Sequence, residues 1–326
     1  MRLSRTDYIG GHDAGAIVGE HPFLTSGDVY AKCALKHQQD LSESPAIRRG
    51  LICEPGMIEH IKKTTGQKLV RDLHVVDKNN IFAGTLDCVE TETGVIHDVT
   101  TTTSYNKSWS NGAAVYKEIQ LQWYMGLVEN FSRSVSASGI NSDTYKFPVT
   151  DHAVLTVFYV DTGDIQSFTV WRDEKRIKTL RDASEDFWFK HVQTMTPPEE
   201  MSDDAIKIVY PSNNGKQIEE VTEEIRDAAK VYATARDNEK KWGDVKKKYG
   251  KIIKGFLKDH DGCRWDTGNI SWKQNKAGKK IDYEAMSAEL CRQLGISFDE
   301  LKEKFTKEKP GARVLRVKSD EVKDAK

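Results

Sequence analysis

Read as a pattern of apolar and polar positions, the N-terminal part of the chain alternates between helical and strand-like segments. Ser26 is placed to cap a helix through Val29, Tyr30 and Cys33, since a serine oxygen can accept from the open N–H groups of a first turn. A second helix is predicted over roughly 46–65, stopped by Gly66, with Pro55 marking a kink or restart inside it. Two strand-like runs, 81–89 and 95–101, flank the turn Glu90-Thr91-Glu92-Thr93-Gly94. A helix from about 113 to 129 follows, then strands 153–160 and 165–171 around Asp161-Thr162-Gly163-Asp164. Apolar positions Ile177, Leu180, Ala183, Phe187 and Trp188 mark a further helix. Helices interleaved with strands predict an α/β fold with a central mixed sheet flanked by helices.

Thr196-Pro197-Pro198 breaks the pattern, because paired prolines cannot continue a helix. The expected division is therefore 1–198 and 199–326. Beyond the break, Ile218, Val221, Ile225, Ala228, Ala229 and Tyr232 recur at helical period, and so do Trp242, Val245, Tyr249, Ile252, Ile253 and Phe256. Both stripes read as packing faces. A small hairpin is predicted from strands 269–273 and 280–283, then two weaker helices, a strand over 312–317 and a charged tail from Ser319. The second part is a mainly helical extension.

Charge changes the picture of that extension. The net charge is −1, but residues 1–198 carry 21 Lys+Arg against 25 Asp+Glu, whereas 240–280 alone carry 13 basic against 4 acidic residues. Such a stretch is either a solvated helix face or a patch for phosphate backbones. The five cysteines have no metal-binding spacing and read as reduced thiols of a cytoplasmic protein. No run of 18 apolar residues exists, so no membrane span is expected.

The candidate chemistry lies on the first hairpin. A turn symmetric about Glu92 and Thr93 puts Asp87 opposite Asp98. Opposed residues on one face have Cβ atoms about 5 Å apart. Carboxylates that close repel unless a cation lies between them, which favours a hard divalent metal. Thr100 shares the face of Asp98, while His97 and Val99 point away. A carboxylate pair with a further group two residues on suits metal-assisted phosphodiester hydrolysis. The spacing alone is common, and two surface aspartates would produce it too.

Several blocks in order resemble the YqaJ-like viral recombinase family, which includes lambda exonuclease and belongs to the PD-(D/E)XK nuclease superfamily. YIGGHDAGAIVGEHPF resembles its opening glycine pair and helix, and RRGLICEPGMIEHIKKTTG its G-x-x-x-E helix, with Glu54 as the acid. FAGTLDC and GVIHDVTTTTSYNKSW resemble its two metal-ligand blocks, with Asp87 and Asp98 as ligands, and YKEIQLQWYMGLVE its Q-x-Q helix, with Gln120 and Gln122. ISWKQNKAGKKIDYEAM and ARVLRVK resemble the extension common in phage members. The resemblance implies a PD-(D/E)XK core and a Mg2+-dependent exonuclease of DNA recombination, with Mn2+ able to substitute. It would act on double-stranded DNA ends in the host cytoplasm, digest the 5′ strand and pass the 3′ strand to a single-strand annealing protein. It also implies a ring-shaped homo-oligomer, trimers among the forms. The carbonyl of Val99 would join Asp87 and Asp98 on the metal. Glu54 would bind metal or water, and Gln120 would position water or phosphate. Gln122 and Lys107 would contact DNA. Arg5 and His12 occupy the positions of an arginine and serine that bind the 5′-phosphate.

Three departures stand out. Leu86 replaces a proline, Asp98 replaces the usual glutamate, and Thr100 replaces the lysine of the site. Losing such an electrostatic group typically costs on the order of 10²–10³ in rate. Either Lys107 or Lys117 reaches the site from a neighbouring element, or the chain is an inactivated variant, or it is a catalytically silent relative that binds DNA ends or another protein.

Overall fold

The computed structural model describes residues 3–38, 44–110, 112–129, the main chain of 131–136, and residues 147–274, 282–306 and 315. The chain forms two compact units, Met1–Pro211 and Ser212–Lys326. The division falls later than Pro198 because residues 200–202 bond back to the start of an early helix. Gly27 N–H and Ser26 Oγ both donate to the Glu200 carbonyl, and Ser202 N–H donates to Thr25 Oγ1.

The first unit is built on six strands: β1 (Leu69–Asp77), β2 (Ala83–Glu90), β3 (Ile96–Thr102), β4 (Phe131–Ser136), β5 (His152–Tyr159) and β6 (Ile165–Trp171). Their order across the sheet is β4-β1-β2-β3-β5-β6, with β3 and β5 parallel and the other neighbours antiparallel. This is the expected mixed sheet, with β1 and β4 added to the strands read from sequence.

Helices cover both faces. α1 (Gly11–Ile17) and α2 (Ser26–Cys33) open the unit, and α3 (Pro45–Thr65) lies on one face. Met57, Ile58 and Ile61 of α3 pack on Cys88 and Val99. Ser44 caps α3, Pro45 occupies its first turn and Gly66 closes it at φ 72°. The helix runs through Pro55 without a break. α4 (Val115–Glu129) covers the other face, where Leu121, Met125 and Leu127 join a core with Leu73, Leu86, Ile96 and Leu155. α1 comes close to α4 because Gly11 has no side chain: a Cβ there would lie 2.9 Å from Gln120 Cγ. α5 (Glu174–Phe187), capped by Asp173, and α6 (Asp203–Val209), capped by Ser202, complete the unit.

The turn between β2 and β3 is held by one side chain. The Glu90 carboxylate accepts from the N–H groups of Glu92 and Thr93. Gly94 closes the turn at φ 76°, and a Cβ there would lie 2.3 Å from the Pro148 carbonyl oxygen. Within β1, Asp72 adopts φ 52°, a left-handed value rare for a residue with a side chain. It is skipped in the β1–β2 ladder, which pairs Arg71 with Cys88 and Leu73 with Leu86.

The second unit differs from expectation. The two amphipathic stretches form one continuous helix, α7 (Glu223–Leu257), and Ile218 and Val221 precede it. Its stripe is not a packing face: Ile225, Trp242, Tyr249, Ile252 and Phe256 are exposed. A hairpin forms from β7 (Gly262–Trp265) and β8 (Gly268–Ser271), whereas of the hairpin expected from 269–273 and 280–283 residues 275–281 lie outside the described residues and Tyr283 starts a helix. α8 (Tyr283–Leu294) and α9 (Phe298–Phe305) follow. Of the strand expected over 312–317, all but the exposed Leu315 lies outside the described residues. Among the described residues no helix is long and apolar enough to cross a membrane.

Candidate active site

The ladder between β2 and β3 pairs Val89 with Ile96 and Cys88 with His97. One step further along this register, Asp87 stands opposite Asp98. The strands are tied there by a side chain, since Val99 N–H donates to Asp87 Oδ2 at 2.8 Å. Asp98 is 2% exposed. Burial first, and the Asp98 charge second, push the Asp87 carboxyl well above the ordinary range, while Lys117 and the Val99 N–H pull the other way.

A cation reaches the pair from another element, Lys117. It rises from the first turn of α4, and its Nζ donates to Asp98 Oδ2 at 2.9 Å and to Gln120 Oε1 at 3.0 Å. Burial alone would lower this amine, but Asp98 and Asp87 outweigh it and hold the ammonium form above its usual range. Gln120, three residues on and so on the same helix face, donates from Nε2 to Tyr124 Oη at 2.8 Å. The order Asp98–Lys117–Gln120–Tyr124 therefore crosses from β3 to α4. Lys107 stays exposed on the 3-10 turn Lys107–Trp109. Thr100 has no such partner and lines a cleft of about 220 Å³ with Glu54, Arg49, Met57 and Val99.

Each carboxylate of the pair spends Oδ2 on a donor. Among the described residues, Oδ1 of Asp87 and of Asp98 takes no protein hydrogen bond. Two crowded carboxylates with an oxygen each to spare fit a divalent cation, which would relieve the repulsion that raises Asp87. Glu54 does not close on them: among the described residues no three His, Cys, Asp or Glu side chains gather tightly enough to hold a metal. Its carboxyl is raised by burial first and by Asp72 second. Val99 enters through its N–H and its place in the cleft.

On the far side of Lys117 lies a ring cluster. His21 Nδ1 accepts from Phe23 N–H at 3.2 Å and Leu24 N–H at 3.0 Å, so its proton is on Nε2. Nε2 lies 3.2 Å from His12 Nδ1, which must accept, leaving the His12 proton on its own Nε2. His12 is accessible but crowded, and desolvation followed by the charges of Lys117, His21 and Arg5 lowers its imidazole to about 3. Its exposed edge is a neutral N–H donor. Arg5 is exposed on the turn Arg5–Asp7, near enough for its charge to reach His12.

Gln122 is not available to DNA. Its Nε2 donates to the Trp171 carbonyl at 2.7 Å and its Oε1 accepts from Asp173 N–H at 2.9 Å, so both ends of a buried amide pin α4 to the β6–α5 connection. Of the expected residues, the structure brings together Asp87, Asp98, Val99 and Gln120. It holds Glu54 and Thr100 along the adjoining cleft and sets Lys107 and Gln122 apart. Tyr124, His21 and Asp72 were not foreseen; for Tyr124 the signal was its seven-residue spacing from Lys117 on one helix face.

No protein-family model matches the chain, and no curated protein matches it. Among solved structures it is similar to LHK-Exo, an alkaline exonuclease from Laribacter hongkongensis, in complex with dAMP: identity is 11%, TM-score 0.44, covering 59% of this chain and 91% of that one. A phage-related exonuclease from Haemophilus somnus 129PT matches at 16% identity and TM-score 0.41, over 60% and 97%.

Proposed function

We propose that this chain is a metal-dependent DNA exonuclease of phage-type recombination in which Lys117, from α4, replaces the lysine missing at position 100. The observation that carries the reading is the 2.9 Å contact between Lys117 Nζ and Asp98 Oδ2 in a buried carboxylate pair. Asp87 and Asp98 would hold Mg2+ or Mn2+, with the Val99 carbonyl as a further ligand. The ion would supply polarisation of the phosphate and a more acidic attacking water. Lys117, kept protonated by its neighbours, would face the charge that develops on the phosphate, and Gln120 would keep the amine oriented. His12 would offer its Nε2–H to a strand-end phosphate, with Arg5 adding long-range charge. Glu54, from the cleft wall, would orient water. The substrate in this reading is a duplex end digested on its 5′ strand, with the 3′ strand left for an annealing protein.

The test is linear duplex, 5′-phosphorylated and labelled on one strand, incubated with Mg2+. Wild type should release nucleotides from the 5′ end, and Lys117→Met should lose about 10²–10³ in rate. Equal cleavage by both proteins would remove Lys117 from the mechanism. A second reading, a silent DNA-end binder, is favoured by one observation, that among the described residues Glu54 does not complete a three-ligand group with the pair. It expects end binding and no product at any Mg2+ or Mn2+ concentration.

A further inference from the structure

The second unit presents a surface that the proposed reaction does not use. Trp242, Tyr249 and Phe256 recur every seventh residue along α7, and they are 70%, 56% and 73% exposed. Seven residues are almost two turns, so the three rings lie on one face, roughly 10 Å apart along the axis. At 3.6 residues per turn, Lys241 and Lys248 border that face on one side and Lys246 on the other. Residues 240–258 hold eight lysines and one acidic residue, Asp244. Among the described residues, the ion pair in this stretch is Lys247 with Asp244, at 3.9 Å.

We propose that this face of α7 binds single-stranded DNA, with bases stacked on Trp242, Tyr249 and Phe256 and phosphates held by the bordering lysines. The charge decides between occupants. A seam between helices is normally edged by mixed charges that pair across it. Here the bordering residues are Lys241 and Lys248 on one side and Lys246 with Glu239 on the other, and from 240 to 258 Asp244 alone opposes eight lysines, an excess that suits a polyanion. Duplex DNA keeps its base faces stacked inside, whereas a single strand offers them to aromatic side chains. Val245, Ile252 and Ile253 extend the stripe and would lie against sugars. The proposal needs no cleavage and holds even if the Asp87–Asp98 site is inert.

The experiment uses the full-length protein in EDTA, so that no strand is cut, and reads the fluorescence anisotropy of labelled oligo-dT. The variant W242L/Y249L/F256L keeps the stripe apolar and the helix strong but removes every ring face. It should bind about tenfold or more weakly. K241S/K246S/K248S should bind more weakly with a shallower salt dependence. Circular dichroism confirms that α7 persists in each. Unchanged affinity in the leucine variant overturns the proposal, as does failure of wild type to bind oligo-dT at low salt. Sedimentation velocity adds one more outcome: if wild type associates and alanines at the three positions make it monomeric, the face is an interface between copies, and the proposal falls.

Discussion

In the unit Met1–Pro211 the groups that prefer water are out of it: Asp98, Lys117 and Gln120 are packed between β3 and α4, and His97, on the opposite face of its strand, is buried as well. In Ser212–Lys326 the groups that avoid water are in it, with tryptophan, tyrosine and phenylalanine rings along α7. Each arrangement costs stability that a sequence selected for folding alone would keep. Burying a charge costs several kcal/mol before pairing returns any of it, and an exposed aromatic forgoes about 1.5–3 kcal/mol of burial. The lesson is that function can be sought where burial and chemistry disagree, in opposite senses in the two units.

The comparison can be broken most sharply at Lys117. Lys117→Met leaves two buried carboxylates without their cation. It should lower stability by about 3–5 kcal/mol in EDTA, with part regained on adding Mg2+, as read by thermal denaturation. Thr100→Lys in that background should recover a measurable share of any cleavage. No stability loss would mean that the pair is not buried as described.

His97 offers the next largest effect. Among the described residues neither of its buried ring nitrogens has a partner, and burial lowers its pKa from 6.5 to about 4. A lowered folded-state value means the unfolded chain binds the proton more readily between those limits. Stability from this group is therefore complete above pH 6.5 and lost as pH falls towards 4, by on the order of 3 kcal/mol. His97→Leu should flatten that part of the pH–stability curve; an unchanged slope would assign it to other groups.

Gln122→Ala should cost about 1–3 kcal/mol, because it strands the Trp171 carbonyl and the Asp173 N–H, without weakening DNA affinity in a matched binding assay. The smallest effect belongs to the second unit: Trp242→Leu should change stability by no more than about 0.5 kcal/mol. A larger loss would show that the ring is packed after all.

Much of the first unit was legible because its signals are local. The turn after Glu90 gave the register, and Gly66 the end of α3. Lys117 was one of two candidates and could not be singled out, since it reaches Asp98 across space from another element. The strand β1 escaped notice because Asp72 interrupts the alternation that would have marked it. Gln122 misled by its neighbour: one amide bonds to Lys117 and Tyr124, while the other, two residues on and so on a different helix face, ties α4 to the scaffold. For α7, periodicity identified a face but said nothing of what covers it.

Gly94 sets a limit on how this hairpin can change. Any side chain there meets the Pro148 carbonyl and a backbone angle it would resist. A loop that relaxed by inserting one residue would turn Asp87 and Asp98 to opposite sides of the sheet, although an alignment would still show both aspartates present. Descendants of this sequence should therefore vary freely at Thr91 and Glu92 in identity but hold the loop's length constant.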